Sequence, residues 1–241
     1  MKLAIMQPYF LPYLGYFQLM AAVDAFVVYD NIKYTKRGWI NRNRLLSRGQ
    51  AAVFTVPLAQ GSDQLDVRDR RLAEVFDRQK LLNQFAQAYR RAPQFERLWP
   101  WLQGIVRHPD TGLFGYLLHS IDQVRDALSL PTPLIVSSSV LIDHRLRGQD
   151  RVLALCQALQ ADGFVNPAGG VELYQPEVFA ARGVNLQFLR SHLPPYAQGG
   201  HEFVPALSIV DVMMFNTPEV TQRMLSTGFE LHGPRPVTAP F

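Results

Sequence analysis

The order of four segments near the N-terminus constrains this chain most. An apolar run, Leu3–Met6, leads into a crowded loop, Gln7-Pro-Tyr-Phe-Leu-Pro-Tyr-Leu-Gly-Tyr16. A helix-compatible stretch, Phe17–Val23, and a second strand-like run, Phe26–Tyr29, follow. Strand, loop, helix, strand is half of a parallel α/β unit, because parallel neighbours need a crossover connection. The loop then lies at the carboxyl end of the first strand, where open α/β sheets bind ligands. Its two prolines fix the backbone, so it is a shaped wall and not a slack connection.

The remaining pattern extends that unit. Trp39–Leu46, Ser47–Gln50 and Ala51–Pro57 read as strand, turn, strand. Leu72, Val75, Phe76, Leu82, Phe85 and Tyr89 recur at helical spacing, which predicts a helix over 72–90. Two further helices are expected over 94–106 and 112–128, so 72–130 forms a helical section ended by Pro131-Thr-Pro133. Leu134–Val136, Gly163–Val165 and Val184–Phe188 read as strands. Helices are expected around Val152–Leu159, Leu173–Ala181, Leu207–Phe215 and Pro218–Leu225, with a Pro/Gly/Tyr-rich loop over His192–Phe203 and an extended tail from Gly233. Alternating strands and helices predict an α/β fold, a three-layer Rossmann-like parallel sheet with a helical middle insertion. A single domain over 1–241 is expected, because a chain of this length can bury a sizeable core.

Hydrophobic residues make up 48% and charged residues 18%, which excludes a disordered chain. The single cysteine, Cys156, excludes an internal disulfide and a cysteine-rich zinc site and fits a reducing cytosol. It falls on the apolar face of a predicted helix, as a core residue. The opening apolar run is too short for a signal-peptide core or a membrane span, so a cytoplasmic protein without membrane insertion is expected.

Candidate chemistry collects at the expected strand ends. Lys33, Lys36, Arg37, Arg42, Arg44 and Arg48 lie in one stretch without an acidic residue, interleaved with Tyr34 and Trp39. Such a stretch is a solvated surface or a site for phosphate or carboxylate, and its aromatics also suit nucleic acid. Asp30, just beyond the second strand, would position an amine, a hydroxyl or a water, or else cap a turn. His201, in a glycine-flanked loop, would serve as a general base near neutral pH. Ser137–Ser139 and Asn166–Gly170 are weaker strand-end candidates. No metal-ligand spacing is present, and neither metal nor cofactor is expected. Strand, loop and small-residue turn also begin the nucleotidylyltransferases with a His-x-Gly-His signature. Here the corresponding residues are Tyr13-Leu14-Gly15-Tyr16, so the glycine is kept and both imidazoles are absent.

The chain resembles the WbqC-like family of bacteria. The residues that carry the likeness are Gln7, Pro12, Gly15, Tyr16 and Phe17, then Tyr29-Asp30, then Lys36-Arg37, Trp39 and Asn41-Arg42-Asn43. Asn166, Gly170, Tyr174, Ser208 and Asp211 continue it in order along nearly the whole chain. Lys33 departs from it, since related sequences carry Gln there. The resemblance implies a place in bacterial surface-polysaccharide biosynthesis and a glycine- or amino-acid-transferase role. The combined expectation is an acyl- or aminoacyl-transferase that forms an amide on an amine, with a nucleotide-activated sugar as one acceptor. Asp30, His201 and Tyr16 are its expected catalytic residues. Gln7, Pro12, Gly15, Lys33, Lys36, Arg37, Trp39, Asn41, Arg42, Asn43, Arg44, Asn166, Gly170, Tyr174, Ser208 and Asp211 are its expected substrate-binding residues. The substrate would be anionic, and a carrier protein or aminoacyl-tRNA would donate the acyl group. A nucleotidyltransferase and a non-enzymatic carrier-protein or nucleic-acid binding module remain as alternatives.

Overall fold

A computed structural model describes residues 1–200 and 202–234. β1 (Lys2–Met6) pairs in parallel with β2 (Ala25–Val28) on one side and with β6 (Gly163–Pro167) on the other. β5 (Leu134–Val136) lies beyond β2, and β7 (Asn185–Ser191) lies beyond β6, both parallel. β8 (Phe229–His232) closes the sheet antiparallel to β7. The order is therefore β5-β2-β1-β6-β7-β8. The chain winds outward from β1 in one direction, then returns to its other side at β6, which is the Rossmann arrangement. β3 (Arg42–Ser47) and β4 (Gln50–Thr55) form a separate antiparallel hairpin.

Side chains alternate across the sheet, as the two-residue period of a strand requires. Ala4, Phe26, Val28, Val165 and Leu189 enter one core, and Leu3, Ile5, Ala25, Val27, Phe164 and Leu186 enter the other. The first core is covered by α1 (Leu14–Ala21), α7 (Ile209–Phe215) and α8 (Pro218–Thr227), the second by α5 (Gly148–Ala158) and α6 (Pro176–Ala180). This is a three-layer α/β/α fold. α2 (Arg78–Tyr89), α3 (Phe95–Val106) and α4 (Leu113–Ala127) continue the first core outward. Aromatic contacts tie this helical section to the opening loop, where Phe10 stacks on Tyr116 at 5.4 Å, and to the hairpin, where Phe54 meets Phe85 edge-on at 4.9 Å.

Element boundaries differ from expectation where backbone partners intervene. The helix expected from residue 72 begins at Arg78, because Leu72 and Ala73 donate backbone hydrogen bonds to Thr111 and Pro57 and Asp77 caps the helix through Lys80 N at 2.8 Å. The strand expected from Trp39 begins at Arg42. The helix expected over 173–181 shrinks to Pro176–Ala180, with proline in its first turn, and leaves Tyr174 extended. The edge strand β8 was not expected from the sequence. Gly233 and Pro234 lie just beyond it, and the rest of the expected tail lies outside the described residues. Among the described residues, no helix is long and apolar enough to cross a membrane.

Candidate functional site

The loop after β1 is held by side chains from distant parts of the chain. Asn43 Nδ2 donates to the Leu11 carbonyl at 2.7 Å and the Phe10 carbonyl at 3.4 Å, and Ser208 Oγ donates to the Leu11 carbonyl at 2.8 Å. Phe10 N donates to the Ile40 carbonyl, and Ile209 N to the Pro12 carbonyl. Leu11 has a φ of 46°, a conformation that disfavours any residue with a Cβ by roughly 1–3 kcal/mol. The converging donors hold it there. Beneath the loop, Tyr16 is 1% exposed, packed against Phe17, Phe26 and Tyr9. Its hydroxyl donates to the Gln7 carbonyl at 3.2 Å, and burial raises its pKa well above the usual phenol value. Tyr16 is thus a neutral strut under Gln7. A Cβ at Gly15 would fall against the Tyr13 ring and the Ser191 hydroxyl, so this turn needs glycine.

Above the loop, the basic strand supplies the facing wall of a cleft of about 170 Å³, lined by Tyr9, Pro12, Tyr13, Trp39, Asn43, Arg44 and Ala206. Trp39 is 43% exposed, and the Arg42 and Arg44 guanidiniums lie 5.6 and 5.3 Å from its ring centroid. Arg42 is committed to backbone: its Nε donates to Gly38 O at 2.7 Å and its Nη2 to Arg37 O. Arg44 Nη2 donates to Ala206 O at 2.9 Å, but its Nε is buried without a partner. A guanidinium presents donors in a fork matched to carboxylate or phosphate, so Arg44 in the cleft lining is the charge an anion there would meet. Burial raises the Tyr9 and Tyr13 pKa values, so both phenols are neutral hydrogen-bond groups at pH 7.

Other basic candidates lie outside this cleft. Lys36 is exposed and pairs with Asp63 at 2.8 Å. Lys33 forms an isolated backbone bridge with Asp66, and Arg37 is exposed at a φ of 63°. Asn41 is buried, accepts from the Tyr34 hydroxyl at 2.8 Å and donates to Val56 O at 2.7 Å.

Asp30 belongs to a second polar cluster, at the ends of β2 and β5. Its Oδ1 accepts from Ser137 Oγ at 2.8 Å and from Ser138 N at 2.9 Å. Burial opposes its ionisation, yet the hydrogen bonds from Ser138 and Ser137 outweigh burial and hold its pKa below the usual carboxylate value. Beside it, Arg151 is 3% exposed, donates to Asn31 O at 3.0 Å and stacks over Tyr29 at 5.3 Å. Asn31 also meets His144 Nδ1 at 3.0 Å. A carboxylate so stabilised is a weak general base.

At the end of β6, Asn166 is buried, and a Cβ at Gly170 would strike its amide. Tyr174 packs edge-on against Phe164 and Phe179 at 5.4 Å each. Asp211 is fully buried; its Oδ1 accepts from Tyr196 at 2.6 Å and Gln198 at 2.7 Å, while its Oδ2 has no bonded partner. Burial raises its pKa, although Tyr196, Gln198 and Tyr89 nearby pull the other way. His201 lies outside the described residues. Cys156 is buried, with its thiol pushed up to about 12, so it is inert. Among the described residues, no group of His, Cys, Asp and Glu could hold a metal.

The structure therefore brings Pro12, Trp39, Asn43 and Arg44 into one cleft, with Ser208 behind it. Asp30, Asn166, Gly170 and Tyr174 do not line it. Tyr9 and Ala206, not singled out from the sequence, do. Tyr9 was legible as part of the opening loop, whereas Ala206 reaches the cleft through long-range packing that no local signal marks.

The profile of the WbqC-like protein family matches residues 7–223. "Uncharacterized protein Rv1507c" of Mycobacterium tuberculosis (strain ATCC 25618 / H37Rv) is 28% identical over 221 residues, covering 89% of this chain and 93% of the relative. No solved structure matches the chain. The family match spans the loop, the basic strand and the Asp30 cluster alike, and the chain belongs to the WbqC-like protein family.

Proposed function

We propose that the chain is an acyl- or aminoacyl-transferase that holds the anionic part of its substrate in the Tyr9–Trp39–Arg44 cleft. The observation that carries this reading is the Arg44 guanidinium at the wall of that cleft, beside Trp39 and bonded to the protein only through Nη2 to Ala206 O. Trp39 beside it offers a flat apolar face, which suits a sugar or a base next to a phosphate. The sheet order supports the location, because ligands of such sheets bind outside the carboxyl ends of the strands. In the reaction, the amine lone pair attacks the acyl carbonyl carbon and a C–N bond forms. The thiol or alcohol leaving group departs with its bonding pair, and the ammonium proton passes to solvent. Asp30 acts as a positioning residue that fixes the Tyr29–Asn31 segment, since its carboxylate is too weakly basic to take that proton readily.

The test is calorimetric titration with a nucleoside-diphosphate amino sugar. Arg44→Ala should weaken binding about tenfold to a hundredfold, the weight of a charge-assisted hydrogen bond. Undiminished affinity would remove the anchor on which the proposal rests. Mass spectrometry after addition of a glycyl or acyl thioester then separates turnover from binding alone: an amide product supports the transferase, and binding without product leaves only a binding module.

A further inference from the structure

A second cavity, of about 640 Å³, opens at the carboxyl end of β7 and is lined by Ser191, His192, Leu193, Pro194, Val220, Arg223, Met224, Thr227 and Gly228. We infer that this groove is a binding site for an elongated aliphatic ligand that ends in an anion. Its size falls in the range of small-molecule pockets, which are mostly apolar with a few placed polar groups. Leu193, Pro194, Val220 and Met224 supply the apolar lining. Arg223 supplies the cation: its guanidinium forms no ion pair and no side-chain hydrogen bond among the described residues. His192, the other titratable group of the lining, is engaged by Glu230 at 3.3 Å, and Glu230 also meets His232 at 3.1 Å.

The groove is built rather than incidental. Gln18 is fully buried, and its Nε2 lies within hydrogen-bonding distance of three carbonyls, His192 at 3.2 Å, Met224 at 2.9 Å and Gly228 at 2.8 Å. All three belong to groove residues, so one amide fixes the rim on both sides. His192 N closes it with a bond to Gly228 O at 2.7 Å. A Cβ at Gly228 would fall against Met224 O and Gln18 Nε2, so the rim accepts only glycine there. The arrangement leaves Gln18 Oε1 buried and unpartnered. The groove also adjoins the first cleft. Tyr13 lines the cleft, Ser191 lines the groove, and both crowd the same point above Gly15.

The experiment is calorimetric titration of the full chain with decyl phosphate below its micelle concentration, with decanol as the uncharged probe. One saturable site for decyl phosphate is expected. Arg223→Gln should weaken decyl phosphate about tenfold and leave decanol unchanged. Met224→Trp should abolish both, and Thr227→Trp on the exposed rim should weaken both by tenfold or more without touching the core. Arg44→Ala should leave both unchanged, which keeps this site separate from the cleft and its proposed function. Absence of saturable binding, or binding indifferent to Thr227→Trp and Met224→Trp, overturns the inference.

Discussion

Two polar clusters share the carboxyl edge of the sheet, and they are finished differently. At the end of β2, Asp30, Asn31, Ser137, His144 and Arg151 bond one another and serine donors stabilise the Asp30 charge, although Arg151 Nε is itself buried without a partner. Beside β1, Asn43 and Ser208 spend their donors on the loop backbone, while Arg44 bonds only Ala206 O and lines a cleft. Residue types alone would rank Asp30 above Asn43 as chemistry. The geometry makes Asn43 as structural as Asp30 and leaves Arg44 lining the cleft. A polar group that already has its partners holds structure together, and one left without them next to space is where a ligand gains most.

The sharpest way to break the comparison is Asn43→Ala. The substitution removes both bonds from Nδ2 to the loop and releases the positive-φ turn at Leu11. A loss of about 2–3 kcal/mol is expected, since the Phe10 carbonyl loses its side-chain donor and the Leu11 carbonyl keeps only Ser208 Oγ. Urea denaturation measures it, and binding in the cleft should fall with it. A change below about 0.5 kcal/mol would mean the loop holds its own shape.

Asp30→Asn probes the other cluster at smaller cost, about 1–2 kcal/mol at pH 7, the range for hydrogen bonds to a charged group. Because the Asp30 pKa is lowered in the fold, its stabilisation is complete above the unfolded pKa of about 3.9 and fades as pH falls through the folded value. The gap between the native chain and Asp30→Asn should therefore narrow below about pH 4. A gap independent of pH would show that the hydrogen-bond count matters and the charge does not.

Much of this contrast was legible before the fold and part of it was not. The parallel unit, the strand-end loop and the basic strand are local patterns of apolar spacing and turn residues, and they survive in the structure. The division of labour within them is not local. Asn41 and Asn43 are two residues apart, yet one closes the Tyr34–Val56 contact while the other cradles Leu11. Tyr16 reads as a site residue beside Gly15, but the helix turns its ring into the core. Ala206 and Arg151 carry no motif, and only the tertiary fold brings them to these clusters.

Asp211 sharpens the comparison with the smallest effect and the opposite sign. Like Asp30 it is a buried carboxylate, and it holds the Tyr196–Gln198 segment, whose Gln198 in turn bonds Val204, two residues before the cleft residue Ala206. Unlike Asp30 it has one oxygen without a bonded partner, and burial raises its pKa in place of lowering it. Its ionisation therefore disfavours the fold: the penalty is absent below about pH 3.9 and grows as pH rises through the folded pKa. Asp211→Asn keeps an oxygen to accept from Tyr196 and Gln198 and removes the charge. At pH 7 it should match the native chain or exceed it by up to about 1 kcal/mol, with the advantage disappearing near pH 4. The Asp30→Asn gap widens with rising pH as a loss, and this one widens as a gain. Thermal unfolding from pH 3 to 8 reads both, and a destabilised Asp211→Asn at pH 7 would show that the charge itself is needed to hold the Tyr196–Gln198 segment.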